Sequence, residues 1–115
     1  MTTLTISLLI AFFVFASSIK LLGWQRFIFD TQLAFFHKYG LNRSFMFLVG
    51  LVELTGALLL ASYLLSPVHH LLLWAGAGLL GMTSFGALFF HFRFDGWKDA
   101  VPAMITLALS LIAIM

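Results

Sequence analysis

The apolar segment 45–65 limits what this chain can fold into more than any other feature. It has about the length that a helix needs to cross a bilayer, and it carries a single charged side chain, Glu53. An unpaired carboxylate at that depth costs on the order of 2.5–3.5 kcal/mol. Gly50 and Gly56 share a helical face with Glu53, and small residues let a second helix approach closely. We therefore predict a transmembrane helix whose Glu53 side faces protein and whose Gly50 and Gly56 are packing positions.

Composition places the whole chain in a membrane. Hydrophobic residues make up 63% and charged residues only 9%, against roughly 25% charged in soluble domains. The formal charge of +2, without a basic run, gives no indication of a nucleic-acid partner. The chain has no cysteine, which excludes disulfides, thiolate metal sites and dithiol redox chemistry.

The pattern of apolar and polar segments predicts an all-α membrane protein. Four spans at about 4–22, 45–65, 71–90 and 99–115 would form one up-down-up-down bundle in a single domain, 1–115. The first span could instead be a cleaved signal peptide, but its n-region lacks Lys and Arg and its apolar run is long for one. We expect it to be retained.

The segment between the first two spans is too polar to cross a bilayer and too aromatic to be a free loop. It predicts a short interfacial helix over about 30–39, capped by Asp30 or Thr31 and ended by Gly40. Trp24 and Tyr39 are the expected aromatic anchors.

The third span is rich in small residues. Ala77, Gly81, Ser84 and His91 share one stripe, which predicts that this helix packs at the centre of the bundle with Gly81 as a contact position.

Basic residues predict the orientation. All six Lys and Arg residues flank the first or third connection, and none lies in the termini or the second connection. The positive-inside rule then places these two connections in the cytoplasm and both termini in the periplasm of a bacterial inner membrane.

Connectivity brings the polar residues toward one membrane face. Lys20 ends the first span, Glu53 lies in the first third of the second, and His91 ends the third. We predict a Lys20–Glu53 contact, with His91 as a possible donor to the same carboxylate, and Arg93 and Asp95 just beyond. Two interpretations stay open: a buried ion pair that only fixes helix register, or a ligand-binding cluster. The His, Asp and Glu residues have no metal-ligand spacing, so no metal site is predicted.

The order of these motifs resembles the DoxX-like family of small four-helix membrane proteins. The resemblance runs nearly end to end and is carried by residues 18–23 (SIKLLG), 49–60 (VGLVELTGALLL), Pro67, His91, 95–96 (DG) and 102–103 (PA). It implies that the family's recurrent polar positions are Lys20, Glu53 and His91. Members often carry basic residues before the first helix, and this chain has none.

The resemblance implies several roles without choosing among them. The family is named from a subunit associated with a thiosulfate:quinone oxidoreductase, some relatives are linked to oxidative-stress membrane complexes, and an animal branch resembles a receptor-assembly chaperone. The first hypothesis is therefore a non-catalytic accessory or assembly subunit that packs on other membrane proteins or on itself. The second is a site that holds a quinone or lipid at Lys20, Glu53 and His91. A small proton-coupled transporter ranks third, because the small multidrug exporters carry their essential carboxylate in the first helix, where this chain has none. No cofactor motif is present.

Overall fold

The computed structural model describes residues 2–114, which form five helices and no strand. Four of these helices are long and apolar enough to cross a membrane, which confirms the predicted all-helical membrane fold. The helices are α1 (Thr2–Leu22), α2 (Arg26–Lys38), α3 (Arg43–Leu65), α4 (His70–Phe94) and α5 (Trp97–Ile114).

The third spanning helix is longer than its apolar segment suggested. We expected it to end at residue 90, but α4 continues to Phe94, and α5 begins at Trp97. Polar residues can continue a helix once it leaves the hydrocarbon, so the end of an apolar run marks the membrane boundary and not the helix end. The predicted end of the last span at residue 115 lies outside the described residues.

The spanning helices form a closed ring. α1 packs against α3, α3 against α4, α4 against α5, and α5 back against α1. Short connections join α3 to α4 and α4 to α5, while α2 lies in the longer connection between α1 and α3. Consecutive spanning helices are antiparallel, as an up-down-up-down bundle requires. All ten charged residues lie in the half of the bundle where α1 and α4 end, which we call the charged end.

The interfacial helix α2 lies at the charged end and begins four residues before the predicted start. The predicted cap at Asp30 or Thr31 is wrong. Gln25 caps α2 by accepting a hydrogen bond from the Ile28 amide at 2.9 Å, while the Thr31 hydroxyl donates to the Phe27 carbonyl at 2.8 Å. Asp and Thr are the commoner caps, but the turn after α1 already sets the start of α2.

The predicted end of α2 at Gly40 is confirmed. Gly40 adopts φ +80°, its amide donates to the His37 carbonyl at 3.1 Å, and the Leu41 amide donates to the Phe36 carbonyl at 2.8 Å. This pair of bonds is the Schellman arrangement, for which glycine is the favoured residue. It turns the chain sharply into α3.

Two glycines allow α3 and α4 to cross closely. A methyl group on Gly76 of α4 would lie 2.9 Å from the Gly56 carbonyl oxygen of α3, and Gly56 is equally crowded by Leu80. The prediction for Gly56 as a packing residue therefore fits, but the tight partner on α4 is Gly76. Gly81 faces α5 instead, where an added methyl would lie 3.6 Å from Ser110. At Gly81, α4 and α5 therefore pack at an ordinary van der Waals distance.

Candidate functional site

A cavity of about 590 Å³ lies inside the charged half of the bundle, and all five helices contribute to its wall. Its size is within the range of small-molecule pockets in proteins, roughly 300–1,000 Å³. Aromatic rings form much of the wall, among them Phe13, Phe35, Phe36 and Phe90. The sequence did not reveal this space, because a void depends on how side chains pack between helices.

The predicted contact between Lys20 and Glu53 is present in the cavity wall. Lys20 Nζ lies 3.0 Å from Glu53 Oε1, and the two side chains are 9% and 8% exposed. Gly50 makes this contact geometrically feasible, since a methyl group there would lie 3.0 Å from Lys20 Cβ. The absence of a side chain at position 50 lets α1 approach α3 one turn before Glu53.

His91 also lines the cavity, but its observed partners differ from the prediction. His91 Nδ1 lies 2.9 Å from Asp95 Oδ2 and 3.0 Å from the Tyr39 hydroxyl. His91 Nδ1 therefore contacts Asp95 and Tyr39, and not the Glu53 carboxylate that the sequence suggested as its partner. α4 runs past the apolar segment for one more turn, and this places Asp95 next to His91 at i+4.

Asp95 is the centre of this second polar group, which we call the Asp95 cluster: Lys38, Tyr39, His91 and Asp95. The Tyr39 hydroxyl donates to Asp95 Oδ2 at 2.6 Å, and Lys38 forms an ion pair with Oδ1. Tyr39 also stacks on Phe90, with ring centroids 4.8 Å apart. The cluster thereby fastens the end of α2 to the end of α4.

The electrostatics of the Asp95 cluster fix its protonation. Burial of the Asp95 carboxyl acts to raise its pKa, but hydrogen bonds from Lys38, Tyr39 and His91 outweigh burial and lower the pKa to about 2. For Tyr39, burial and the hydrogen bond to Asp95 both raise the phenol pKa well above its ordinary value. At neutral pH, Asp95 is an anion that only accepts hydrogen bonds, and Tyr39 is a neutral donor.

Arg93, the other secondary residue of the prediction, does not join either group. Its guanidinium lies 5.5 Å from the centroid of the Phe94 ring at the exposed end of α4.

Sequence reasoning missed two features of the cavity wall. The first feature is the Asp95 cluster. From the sequence, Tyr39 was assigned only the role of an aromatic anchor, and Lys38 was counted only as a charge flanking the first connection. A polar aromatic residue directly before a helix-ending glycine could have suggested a tertiary role for Tyr39. The second feature joins α4 to α5: Ser84 Oγ and Thr106 Oγ1 lie 2.7 Å apart, both buried.

A ring of four spanning helices, with a largely apolar cavity that a few polar side chains also line, defines the protein as a small polytopic membrane protein. The model of the DoxX-like family matches residues 4–113, and the chain belongs to that family. Neither the curated proteins nor the solved structures contain a significant match to it.

Proposed function

We propose that the protein is a membrane subunit that binds a lipid-soluble molecule, of the quinone or lipid class, in the central cavity. The observation that carries this proposal is the joint presence of the cavity and a buried ion pair in its wall. A buried ion pair is a poor source of stability compared with apolar packing. Charged groups inside a membrane more often belong to sites that bind or move polar groups.

The shape of the wall suits an amphipathic guest. Aromatic rings such as Phe12, Phe35 and Phe90 would contact an apolar ring or chain, while Lys20 and Glu53 would face its polar head. The Asp95 cluster would hold His91 in one orientation at the other polar part of the wall.

Filling the cavity tests this function. Ala87 lines the cavity, so Ala87→Phe should occupy it, whereas Ala108→Phe places the same side chain on the exposed face of α5. The full chain in phosphatidylcholine nanodiscs is titrated with decyl-benzoquinone, and binding is corrected for partition into empty nanodiscs. We expect saturable binding by the native chain and by Ala108→Phe, and its loss in Ala87→Phe with unchanged helicity.

Equal binding by all three chains would rule out the cavity as the site. If Ala87→Phe does not fold, Ala103→Phe fills the same cavity from α5 and replaces it.

A second candidate function is the accessory or assembly role, and a separate observation favours it. A shallow groove of about 390 Å³ lies between α4 and α5, lined by Gly78, Gly81, Met82 and Gly86. A methyl group on Gly78 or Gly86 would meet open space, so a transmembrane helix of another protein could approach the backbone closely there.

Photo-crosslinking in intact cells tests this second role. A benzophenone side chain at position 78 should give a discrete crosslinked protein, and one at the exposed position 108 should not. Crosslinks of equal yield from both positions would contradict a specific partner in the groove.

The proposed location is a bacterial inner membrane with the charged end in the cytoplasm. Lys20, Lys38 and Arg43 each contact a partner within the protein: Glu53, Asp95 and the Leu21 carbonyl, respectively. The remaining basic residues, Arg26, Arg93 and Lys98, are exposed and lie at that same end, so they support the same orientation.

A further inference from the structure

The hydroxyl groups in the cavity wall offer a ligand mainly acceptor sites. A hydroxyl has one hydrogen to donate and two lone pairs. Thr31 donates its hydrogen to the Phe27 carbonyl at 2.8 Å, and Thr83 donates to the Leu80 carbonyl at 2.9 Å. Both side chains line the cavity, so only their lone pairs remain for a guest.

The Ser84–Thr106 pair also offers more acceptor than donor sites. The two hydroxyls lie 2.7 Å apart, and either of them could be the donor, so one hydrogen is used between them. Thr106 Oγ1 also lies 3.2 Å from the Ala103 carbonyl oxygen, a second acceptor for its hydrogen. The pair therefore leaves at most one hydrogen for a guest, while both oxygens line the cavity with lone pairs.

His91 follows the same pattern when it is neutral. The ionised Asp95 accepts hydrogen bonds only, so the 2.9 Å contact requires the proton of neutral His91 to be on Nδ1. The other ring nitrogen, Nε2, then carries a lone pair. Tyr39 adds no donor either, because its hydroxyl donates to Asp95.

Two further acceptor oxygens in the wall are buried without a hydrogen bond of good geometry, Gln32 Oε1 and Glu53 Oε1. Glu53 Oε1 has the charge of Lys20 nearby at 3.0 Å but retains lone pairs for a second donor. The Gln32 amide can turn either its oxygen or its nitrogen toward a ligand, so it gives no preference between ligands that donate and ligands that accept a hydrogen bond. Among the polar groups described for the wall, Lys20 is a buried hydrogen-bond donor. Because it lies beside the acceptor Glu53, the two suit a ligand group that both donates and accepts a hydrogen bond.

We infer that the cavity selects lipid-soluble molecules whose head group carries a hydroxyl, a phenol or an alcohol, over analogues that can only accept hydrogen bonds. The hydroxyl donates to Glu53 and accepts from Lys20. A quinone, ketone or ether head can still accept from Lys20 but leaves the Glu53 carboxylate without its second donor, so it binds more weakly than a hydroxyl head. This inference rests on the proposed binding function and specifies its ligand class.

Matched probes test the inference without redox chemistry. The full chain in phosphatidylcholine nanodiscs is titrated with 4-decylphenol and with 4-decylanisole, its methyl ether, each corrected for partition into empty nanodiscs. We expect the phenol to bind with a Kd at least about tenfold lower than the anisole. A parallel pair, dodecan-1-ol and its methyl ether, tells whether an aliphatic hydroxyl is also selected, and a preference within either pair supports the inference.

Two variants show whether the wall causes the preference. Lys20→Met combined with Glu53→Leu should bind both members of a pair equally. Thr83→Val removes a wall acceptor that the guest hydrogen does not use, so it should leave the preference unchanged and is the matched control. If the double variant does not fold, the comparison of each hydroxyl compound with its ether in the native chain still decides the inference.

The outcomes separate this inference from the proposed function. If the ether of each pair binds as well as the hydroxyl compound, and Ala87→Phe abolishes both, the hydroxyl preference is overturned while cavity binding stands. If no probe, the quinone included, binds in a way that Ala87→Phe prevents, both proposals are overturned.

Discussion

Lys20 Nζ lies 3.0 Å from Glu53 Oε1 although the two residues belong to different helices, and both side chains are almost fully buried. Glu53 is ten residues into α3, roughly 15 Å from its start. The long Lys20 stem reaches toward it from the end of α1. This pair connects the architecture of the bundle with the chemistry of the cavity.

The first prediction is energetic coupling within this pair. Lys20→Met or Glu53→Gln alone leaves a buried partner without its counterpart, and each should lower the free energy of unfolding by about 3 kcal/mol. The double variant should recover most of that loss, which a double-mutant cycle of unfolding in mixed micelles would measure as strong coupling. Additive losses would contradict the pairing.

The same variants separate the two interpretations of the pair. A purely structural pair predicts that the stable double variant still binds decyl-benzoquinone in nanodiscs. A ligand-binding pair predicts a folded protein that has lost this binding.

The second prediction concerns the close crossing of α3 and α4 at Gly56 and Gly76. Gly76→Ala places a methyl 2.9 Å from the Gly56 carbonyl oxygen, a backbone atom that cannot move away locally, and should destabilise the protein by about 2 kcal/mol. Gly78→Ala, two residues away on the same helix, meets open space and should be neutral or stabilising by up to about 1 kcal/mol through helix propensity. Thermal unfolding of the two variants side by side measures the difference. Similar melting temperatures would show that α3 and α4 are not held at this distance.

The third prediction concerns pH. The Asp95 pKa is lowered from 3.8 to about 2, so in this range the unfolded chain binds more protons than the folded one. The contribution of Asp95 to stability is therefore complete above about pH 4 and is lost as the pH falls toward 2. At 1.36 kcal/mol per pKa unit, the loss is roughly 2 kcal/mol.

Asp95→Asn should remove that dependence. Unfolding free energies at pH 5 and pH 2.5 in a non-ionic detergent would show a smaller difference for Asp95→Asn than for the native chain. Asp30→Asn, on the exposed side of α2, is the matched control and should behave like the native chain. A native-like pH dependence in Asp95→Asn would mean that the Asp95 cluster does not form in the membrane-extracted protein.

The contrast between Glu53 and Asp95 shows how far the sequence could predict this site. The Lys20–Glu53 pair follows from connectivity and helical rise, because α1 ends and α3 begins at the charged end, and this brings Lys20 and Glu53 to a similar depth. The Tyr39–Asp95 bond depends on the direction in which α2 crosses the charged end, which no periodicity in the sequence specifies. The start of α2 at Arg26, with Gln25 as its cap, was missed for a related reason, since cap preferences favour Asp30 and Thr31 when tertiary contacts are unknown.

The last prediction is the orientation in the membrane. A reporter enzyme that is active only in the periplasm should be active when it is fused after residue 115. A reporter that is active only in the cytoplasm should be active when it is inserted after Gly40, in the exposed turn that follows α2. Replacing the exposed residues Arg26, Arg93 and Lys98 with Gln tests the cause, because these three are the basic side chains that stay outside the internal ion pairs and hydrogen bonds described above. We expect this triple variant to give mixed topology, while Lys38→Gln, which removes a charge engaged with Asp95, should leave the native topology in place. A periplasmic signal from the insertion after Gly40 in the otherwise native chain would show that residues other than the basic ones decide how this bundle inserts.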